Sequence, residues 1–295
     1  MIAPTTAPKT DSKTDLYAVF GNPIAHSLSP RIHTAFAAAT GQALRYETRL
    51  APREGFVEAW RVFVAQGGRG ANVTVPFKED AFRLCARPEN ALSERARLSG
   101  AVNTLCREGE RVFGDNTDGA GLLRDLEGNL AARLAGRRVL LLGAGGAARG
   151  VLPPLRARHP ACLCIANRTA EKARALAAEF STPELPLAGC GFAELPTILN
   201  EGAFDIVLNA TAASLANTTP PLPPGLFAPE ALAYDMMYGK GQTPFLKAAA
   251  EIGAKTLSDG LGMLVEQAAE SFLLWRGIRP ETRAILEGLR ALDAG

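Results

Sequence analysis

The sequence predicts an α/β fold with two domains, and three observations support this fold class. The chain has 295 residues, which fits one large or two medium domains. Short β-rich segments alternate with amphipathic helical segments, as they do in α/β units. A glycine-rich turn directly follows an apolar strand near residue 143, which indicates that a Rossmann-type unit forms the second domain.

The first unit begins with β-rich segments separated by a helix. The predicted strands are residues 16–21, 44–50 and 70–77. Ser29-Pro30 opens the helix after the first strand, with Ser as the expected N-cap and Pro at the first helical position. The apolar stripe of this helix is Ile32, Ala35 and Phe36.

The second unit shows the more regular pattern. Its predicted elements are strands at 137–143, 162–167 and 205–210 and a helix at 169–180, which form a nucleotide-binding βαβ series. Further along, apolar residues recur at helical spacing and predict a long helix with one buried face: Leu261, Leu264, Val265, Ala268, Phe272 and Trp275. Periodicity alone does not assign this helix to either unit.

The composition excludes a global attraction to nucleic acid or to anionic membranes. Lys and Arg total 32 and Asp and Glu total 30, which gives a formal net charge of +2. No apolar run approaches the roughly 18 residues that a membrane span requires. The sequence therefore predicts neither a nucleic-acid partner nor a membrane partner.

The N-terminus and the cysteines indicate the cellular compartment. Residues 1–14 are rich in Thr, Pro and Lys and lack the apolar centre of a secretory signal, so we expect a disordered tail on a cytoplasmic protein. The five cysteines form no CxxC or Cys/His spacing, which predicts reduced thiols and no metal site. They are Cys85, Cys106, Cys162, Cys164 and Cys190.

The segment from Gly143 to Ala148 fits the G-x-G-x-x-A fingerprint of a dinucleotide-binding turn. Gly143 permits the tight turn, and Gly145 lets the backbone approach a pyrophosphate. The N-terminus of the following helix supplies free N–H groups and a favourable dipole. This turn is the predicted cofactor site.

The end of the next strand indicates which dinucleotide binds. An NAD site places Asp or Glu there, about 20 residues after the glycine turn, to bind the ribose 2′-OH. This chain instead has Asn167-Arg168-Thr169, and Lys172 lies one helical turn from Arg168. These side chains do not repel a 2′-phosphate, which favours NADP. The alternative is that both cations merely solvate the helix.

Polar residues of the first unit suggest a substrate site. Ser27 and Ser29 lie in a loop that leads into a helix, where two hydroxyls suit a carboxylate, although turn and capping roles are more common. Lys78 follows a strand, and Asp118 lies at the unit boundary, where a cleft is expected. Such a pair can handle the proton of an alcohol while a nicotinamide takes the hydride. Taken singly, each is more often a surface charge.

A series of motifs resembles the shikimate dehydrogenases, from about residue 16 to the last helix. In family order they are GNPIAHSLSPRIH, NVTVPFK, GAVNT, DNTDGAG, GAGGAARG, NRT, NAT, DMMYGKGQTPFL and DGLGMLVEQAAESF. The resemblance implies NADP-dependent, reversible reduction of 3-dehydroshikimate to shikimate, on the route to chorismate and the aromatic amino acids. It also implies that the C-terminal helices return to the N-terminal domain, with the NADP-binding domain as an insertion.

The implied domains are a disordered tail at 1–14, a substrate-binding catalytic domain at 15–117 plus 260–295, and an NADP-binding Rossmann domain at 118–259. By match to the family, Lys78 and Asp118 are the catalytic pair. The implied substrate contacts are this pair with Ser27, Ser29, Thr74, Asn103, Tyr238 and Gln267. The implied NADP contacts are Gly143, Ala144, Gly145, Gly146, Ala147, Asn167, Arg168, Thr169, Lys172, Thr211, Met236, Gly260 and Glu94.

Two other interpretations stay open at this point. One is a quinate/shikimate dehydrogenase that uses NAD, which Arg168 disfavours. The other is a catalytically silent relative that senses shikimate-like ligands, which the retention of Lys78 and Asp118 disfavours. Thr34 stands where relatives often carry an amide, but it lies outside the matched substrate contacts. The sequence does not decide between a monomer and a homodimer.

Overall fold

The structure is a computed structural model that describes residues 14–211, 213, 218–239 and 241–293. The predicted N-terminal tail therefore lies outside the described residues, except for Thr14. The strands are β1 (Asp15–Gly21), β2 (Leu44–Leu50), β3 (Gly68–Val73), β4 (Ala91–Leu92), β5 (Thr104–Glu108), β6 (Arg111–Asp115), β7 (Arg138–Leu142), β8 (Cys162–Asn167), β9 (Ala188–Gly191), β10 (Phe204–Asn209), β11 (Phe227–Asp235) and β12 (Thr256–Ser258).

The helices are α1 (Ser29–Thr40), α2 (Phe56–Ala65), α3 (Lys78–Cys85), α4 (Glu94–Ser99), α5 (Asp118–Arg124), α6 (Gly146–Arg156), α7 (Ala170–Phe180), α8 (Leu195–Ile198), α9 (Pro244–Glu251), α10 (Leu261–Arg276) and α11 (Arg283–Asp293). A π-helical turn, Asp125–Asn129, continues α5, and 3-10 turns at Phe192–Glu194 and Leu199–Glu201 flank α8. Across the described ranges, no helix combines the length and apolar character needed to cross a membrane.

The first sheet is mixed and has the strand order β2-β1-β3-β5-β6-β4. Strands β2, β1 and β3 are mutually parallel, whereas β5 is antiparallel to both β3 and β6. One face of the sheet packs on α2 and α3 through an aromatic core that includes Phe20, Phe56 and Phe77. The carboxyl ends of β1 and β3 lead directly into the loops that carry the predicted substrate residues.

The second sheet is entirely parallel, with the order β12-β11-β10-β7-β8-β9. Counted along the chain from β7, this is the 3-2-1-4-5-6 order of the Rossmann fold. Both faces are covered, since Val139 and Leu141 of β7 pack in one core and Leu140 and Leu142 in the other. This two-sided burial explains why β7 reads as an uninterrupted apolar run.

The C-terminal helices pack on the first sheet's helices, as the resemblance implied. Val265 and Phe272 of α10 share a core with Ile32 and Phe36 of α1. The indole of Trp275 donates a hydrogen bond to the backbone oxygen of Leu105 at 2.9 Å, which ties the end of α10 to β5. The two-domain α/β fold predicted from the sequence is therefore confirmed.

Helix α5 belongs to both halves of the molecule. Its first residue, Asp118, contacts Lys78 of α3, while Leu122 and Leu123 pack in a core of the second sheet. Gly119 permits close contact with α6, because a Cβ at this position would lie 2.4 Å from the ring of Pro154. This helix therefore links the helices of the first sheet to the second sheet.

The start of α1 corrects one prediction. The helix begins at Ser29 with Leu28 as the N-cap, and no side chain caps it. Leu28 already has helical dihedral angles, φ −80° and ψ −9°, whereas a capping residue usually has extended ones. The Ser29 N–H instead donates to Ser27 Oγ at 3.3 Å. The capping role predicted for Ser29 is wrong, and its hydroxyl is free of that task.

Candidate active site

Lys78 and Asp118 meet in the structure, with Lys78 Nζ 2.5 Å from Asp118 Oδ2. Each is the first residue of a helix, α3 and α5 respectively, so both side chains lie at helix N-termini beside the carboxyl end of β3. The Lys78 side chain is 24% exposed and that of Asp118 is 9% exposed. The pair is therefore largely shielded from bulk water, and Lys78 is the more exposed of the two.

The second oxygen of Asp118 has a different partner. Asn103 Nδ2 donates to Asp118 Oδ1 at 2.8 Å and also lies 3.3 Å from Gln267 Oε1. Asn116 supports the same loop, because its Oδ1 accepts a hydrogen bond from the Asp118 N–H at 3.1 Å. The structure thus brings together Lys78, Asn103, Asp118 and Gln267, four residues that lie far apart in the sequence.

The carboxylate that precedes this loop is held by an arginine. Arg95 contacts both oxygens of Asp115, with Nε at 2.7 Å from Oδ1 and Nη2 at 2.5 Å from Oδ2. Burial alone would raise the pKa of Asp115, but the hydrogen bonds and charge of Arg95, helped by Ser93 and the Asn116 N–H, lower it below its ordinary value. This contact fixes the end of β6, three residues before Asp118 begins α5.

A layer of buried polar side chains lies behind the Lys78 and Asp118 pair, and the sequence analysis did not single it out. Its members are His33, Tyr46, Asn72, Thr104, Thr117 and Ser271. Asn72 and Thr104 lie in the quoted motifs NVTVPFK and GAVNT. The motifs therefore included these residues but did not indicate that their side chains bond to one another. Burial lowers the pKa of His33 to about 3, and its bond to Asn72 opposes this shift, so His33 is neutral.

Ser27, Ser29, Thr74 and Tyr238 lie outside the Lys78 and Asp118 pair, and Ser29 forms a side-chain hydrogen bond with Tyr46. Ser29 is buried next to Tyr46, whose pKa burial raises well above its usual range while the Ser29 hydroxyl opposes the rise. Tyr238 packs against the core shared by α1 and α10, and burial raises its pKa. In the described part of the chain, no side-chain hydrogen bond joins these four residues to Lys78 or Asp118.

The glycine turn between β7 and α6 has the shape that a dinucleotide needs. Gly143 has a φ of +108°, which favours glycine, and a Cβ there would lie 3.2 Å from Thr211 Cγ2. A Cβ at Gly145 or Gly146 would meet nothing within 4 Å, so the protein's own packing does not require these glycines. Helix α6 starts at Gly146 without a side-chain cap, which leaves its N–H groups for an anion.

The remaining predicted cofactor residues of this half line the same sheet edge. Ala144 and Ala147 are partly buried within the turn. Met236 follows β11, where its N–H donates to the Asn209 oxygen at 2.9 Å. Gly260 packs so closely that a Cβ would lie 2.3 Å from the Met236 oxygen. Carboxyl ends of adjacent parallel strands are where such folds bind their ligands.

The predicted 2′-phosphate residues lie at the end of β8. Asn167 shapes the turn, because its Nδ2 donates to the Thr169 oxygen at 3.0 Å. Arg168 and Lys172 are exposed, and neither forms an ion pair with any residue in the described ranges. Two unpaired cations beside a glycine turn fit a phosphate that a carboxylate at this position would repel.

Glu94 is the first residue of α4. It lines a cavity of about 580 Å³ between α4, α5 and α6, together with Arg95 and Gly150. None of the residues from Gly143 to Ala147 lines that cavity, so the role predicted for Glu94 in cofactor binding stays a prediction.

The cysteines and metal-ligating residues form no further site among the residues that the structure describes. All five cysteines are free, and Cys85, Cys164 and Cys190 are buried, as predicted. Within the same residues, no group of three or more His, Cys, Asp or Glu side chains is arranged to hold a metal ion.

Three family descriptions match successive parts of this chain. They are the shikimate dehydrogenase substrate binding domain at residues 19–105, shikimate / quinate 5-dehydrogenase at 125–219, and the shikimate 5'-dehydrogenase C-terminal domain at 260–290. Two similar proteins are both named shikimate dehydrogenase (NADP(+)). The Dechloromonas aromatica protein is 62% identical to this chain, and the alignment covers 94% of this chain and 98% of the relative. The Aromatoleum aromaticum protein is 60% identical to this chain, and the alignment covers 95% of this chain and 99% of the relative.

Solved structures give the same result. Shikimate 5-dehydrogenase from Thermus thermophilus, in complex with NADP(H) and shikimate, superposes with a TM-score of 0.80 at 33% identity, covering 94% of this chain and 99% of its own. An Ael1 enzyme from Pseudomonas putida superposes with a TM-score of 0.83 at 48% identity, covering 93% and 98%.

Proposed function

The chain belongs to the shikimate dehydrogenase family, and we propose that Lys78 and Asp118 carry the proton step of its reaction. It is an NADP-dependent oxidoreductase that reversibly reduces 3-dehydroshikimate to shikimate, a step in the biosynthesis of chorismate and the aromatic amino acids. The observation that carries the proposal is the 2.5 Å contact between Lys78 Nζ and Asp118 Oδ2 in a shielded position.

Oxidation of the substrate hydroxyl to a ketone requires a group that accepts the hydroxyl proton. When bound, the nicotinamide of NADP supplies the hydride acceptor, and in reduction the hydride donor. Lys78 and Asp118 hold the hydroxyl between them, accept its proton during oxidation and return it during reduction. Because the two groups are in direct contact, the proposal assigns the proton step to the pair and not to either residue alone.

Six other residues orient the substrate in this proposal. Ser27 and Ser29 bind its carboxylate through their hydroxyls, since Ser29 has no capping role. The remaining contacts are Thr74, Asn103, Tyr238 and Gln267, of which Asn103 and Gln267 already adjoin Asp118. A substrate held at both its carboxylate and its hydroxyl presents one carbon to the cofactor side.

The cofactor residues occupy the other half of the cleft. Gly143 to Ala147 would hold the pyrophosphate through backbone N–H groups at the start of α6. Arg168 and Lys172 would bind the 2′-phosphate, with Asn167 and Thr169 shaping their turn. Thr211, Met236 and Gly260 would line the nicotinamide end. Glu94, which lines the cavity between α4, α5 and α6, is a further proposed cofactor contact.

The domain boundaries and the compartment remain proposals as well. Boundaries near Thr117 and Asp259 are supported by helices α5 and α10, which begin at Asp118 and Leu261 and contact each other. A cytoplasmic location is supported by five free cysteines, since reduced thiols are usual in that compartment.

A crossed assay of shikimate and quinate with NADP and NAD tests the function, following reduced nicotinamide by absorbance. We expect shikimate with NADP to give a kcat/KM at least about tenfold above shikimate with NAD, because Arg168 and Lys172 read the 2′-phosphate. Shikimate should also exceed quinate with NADP, as expected for a shikimate dehydrogenase. A highest rate with quinate and NAD would support the quinate/shikimate alternative. Binding of shikimate without turnover in any combination would support a sensor.

A further inference from the structure

A continuous chain of buried hydrogen bonds ends at Asp118 and begins far from it. Its first donor is the Tyr46 hydroxyl, which lies 2.8 Å from Asn72 Oδ1. From Asn72 the chain continues through Thr104 and Asn103, at distances of 3.2 and 2.8 Å, and reaches Asp118 Oδ1 at 2.8 Å. All of these side chains are buried, so water does not compete for their bonds.

Each hydrogen bond in this chain has a fixed direction. Asn72 Oδ1 accepts from Tyr46, and the His33 Nε2–H at 3.2 Å is a second donor to the same oxygen. The Asn72 amide must therefore point its Nδ2 toward Ser271 Oγ at 2.9 Å and Thr104 Oγ1 at 3.2 Å. Because Thr104 Oγ1 accepts there, its single hydrogen is available to donate to Asn103 Oδ1.

The Thr104 hydrogen has a second acceptor within reach, since Ser271 Oγ lies 2.8 Å from Thr104 Oγ1. The Ser271 hydrogen itself is directed at the Gln267 backbone oxygen at 3.0 Å. Asn103 Oδ1, also 2.8 Å from Thr104 Oγ1, is an amide oxygen and can only accept. The hydroxyl of Thr104 thus links Asn72 to the side chain of Asn103.

The orientation of the Asn103 amide decides which of its atoms contacts Asp118 Oδ1. With its Oδ1 held by the Thr104 hydroxyl and by the Thr117 N–H at 2.8 Å, Asn103 can present only its Nδ2 to Asp118. A reversed amide would place its oxygen against the carboxylate and its NH₂ against the Thr117 N–H, which are two repulsive contacts. Asn103 therefore keeps Asp118 Oδ1 occupied, and Oδ2 is left to Lys78.

We propose that Thr104 is a positioning residue for the reaction, because its hydroxyl, together with the Thr117 N–H, holds the Asn103 amide that aligns Asp118 with Lys78. Thr104 acts through Asn103 and is not assigned a contact with the substrate. The inference rests on the proposed role of the Lys78 and Asp118 pair. Tyr46, Asn72 and Ser271 belong to the same hydrogen-bond network. Ser29, which bonds to Tyr46, and Asp118 are the two ends of the proposed substrate site, and the network joins them.

The test compares Thr104→Val, which keeps the side-chain shape but removes the hydroxyl, with Thr104→Ser, which keeps the hydroxyl. We expect Thr104→Val to lower kcat by about tenfold, as expected for a small misplacement of a reacting group. Its KM for NADP should stay within about twofold of the parent, since the cofactor binds to the other domain. Thr104→Ser should retain kcat within about twofold of the parent.

Thr282→Val is the matched control. Thr282 is also a buried threonine, but its hydroxyl donates to Glu266 Oε1 at 2.7 Å and has no link to Asn103. This variant should lose thermal stability and keep the parent kcat. A folded Thr104→Val enzyme with the parent kcat would overturn the proposal, and so would a Thr104→Ser enzyme as slow as Thr104→Val.

Two further measurements keep the outcomes distinct. If Thr104→Val does not fold, Thr104→Ala decides, because it removes the same hydroxyl with a smaller side chain: a lower kcat at unchanged KM for NADP supports the proposal, and the parent kcat overturns it. The parent enzyme is assayed first with shikimate and NADP. A parent without turnover would contradict the proposed function, whereas an active parent with an equally active Thr104→Val contradicts this inference alone.

Discussion

The two halves of the cleft are built in different ways. Around Lys78 and Asp118, buried side chains hold one another, and each amide or hydroxyl has a fixed direction. At the predicted cofactor site, the backbone of a glycine turn and two exposed cations face open space. The side chains around Lys78 and Asp118 are therefore held by their own hydrogen bonds, whereas Arg168 and Lys172 of the predicted cofactor site are exposed and form no ion pair with the described residues.

This difference predicts two kinds of mutational effect. Changes in the substrate half should lower kcat or the free energy of unfolding, because groups there position the reaction and fill a buried network. Changes in the cofactor half should mainly alter the affinity for NADP, because exposed Arg168 and Lys172 support nothing else in the described structure. The predictions below start with the largest expected effect.

Lys78→Met should have the largest effect on turnover. Methionine keeps most of the length of the side chain but removes the amine, so kcat should fall by about 10² to 10⁴, the range for a positioned acid–base group. Binding of shikimate and NADP, measured by calorimetry, should change far less. Lys247→Met, at an exposed position on α9, is the matched control and should keep the parent kcat. A folded Lys78→Met enzyme within a few fold of the parent would move the proton step to another group.

Asp115→Asn should have the largest effect on stability. The amide cannot accept both hydrogen bonds of Arg95, and the free energy of unfolding at pH 7 should fall by about 2 to 3 kcal/mol, as for a charged hydrogen-bonded pair that loses one partner. Because the pKa of Asp115 is lowered by folding, its stabilising effect is complete above its ordinary pKa and is lost as the pH falls through the lower, folded value.

Urea denaturation of the parent and of Asp115→Asn at several pH values checks this sign. The difference in the free energy of unfolding should be constant at neutral pH and should shrink below about pH 4. Asp205→Asn is a suitable control, since Asp205 pairs with the half-exposed Arg137 at the surface. A difference for Asp115→Asn that does not change between pH 7 and pH 3 would contradict the role given to its charge.

Arg168→Ala should have the smallest of these effects, and the effect should be limited to the affinity for NADP. Loss of a charge-assisted hydrogen bond to the 2′-phosphate should weaken NADP binding by about 1 to 3 kcal/mol, with little change for NAD. Arg53→Ala, at another exposed arginine but in the first half of the chain, should leave both affinities unchanged. Equal losses of NADP and NAD affinity would show that Arg168 does not read the phosphate.

The sequence predicted the parts of the fold that depend on neighbours in the chain. The strand at β7 and the glycine turn after it follow from a local apolar run and from Gly143, and they were predicted correctly. The N-cap of α1 was not, since it depends on the dihedral angles of Leu28 and not on the residue type of Ser29.

The buried network could not be predicted from the sequence for a different reason. Asn72 and Ser271 are 199 positions apart, and their hydrogen bond exists because α10 returns to the first sheet. Neither residue has a periodicity or a spacing that indicates the other. Lys78 and Asp118 were predicted from family motifs. The link from Asn72 through the Thr104 hydroxyl to Asn103 could not be predicted in that way, because it depends on how three strand ends and a helix pack together.

The separation of the two halves is tested most directly by combining Lys78→Met with Arg168→Ala. The measured quantity is kcat/KM for NADP at saturating shikimate, for the parent, both single variants and the double variant. If one half carries the proton step and the other reads the phosphate, the two free-energy losses should add within about 0.5 kcal/mol. An interaction energy above about 1 kcal/mol would contradict the account, because it would show that the two residues act on the same step.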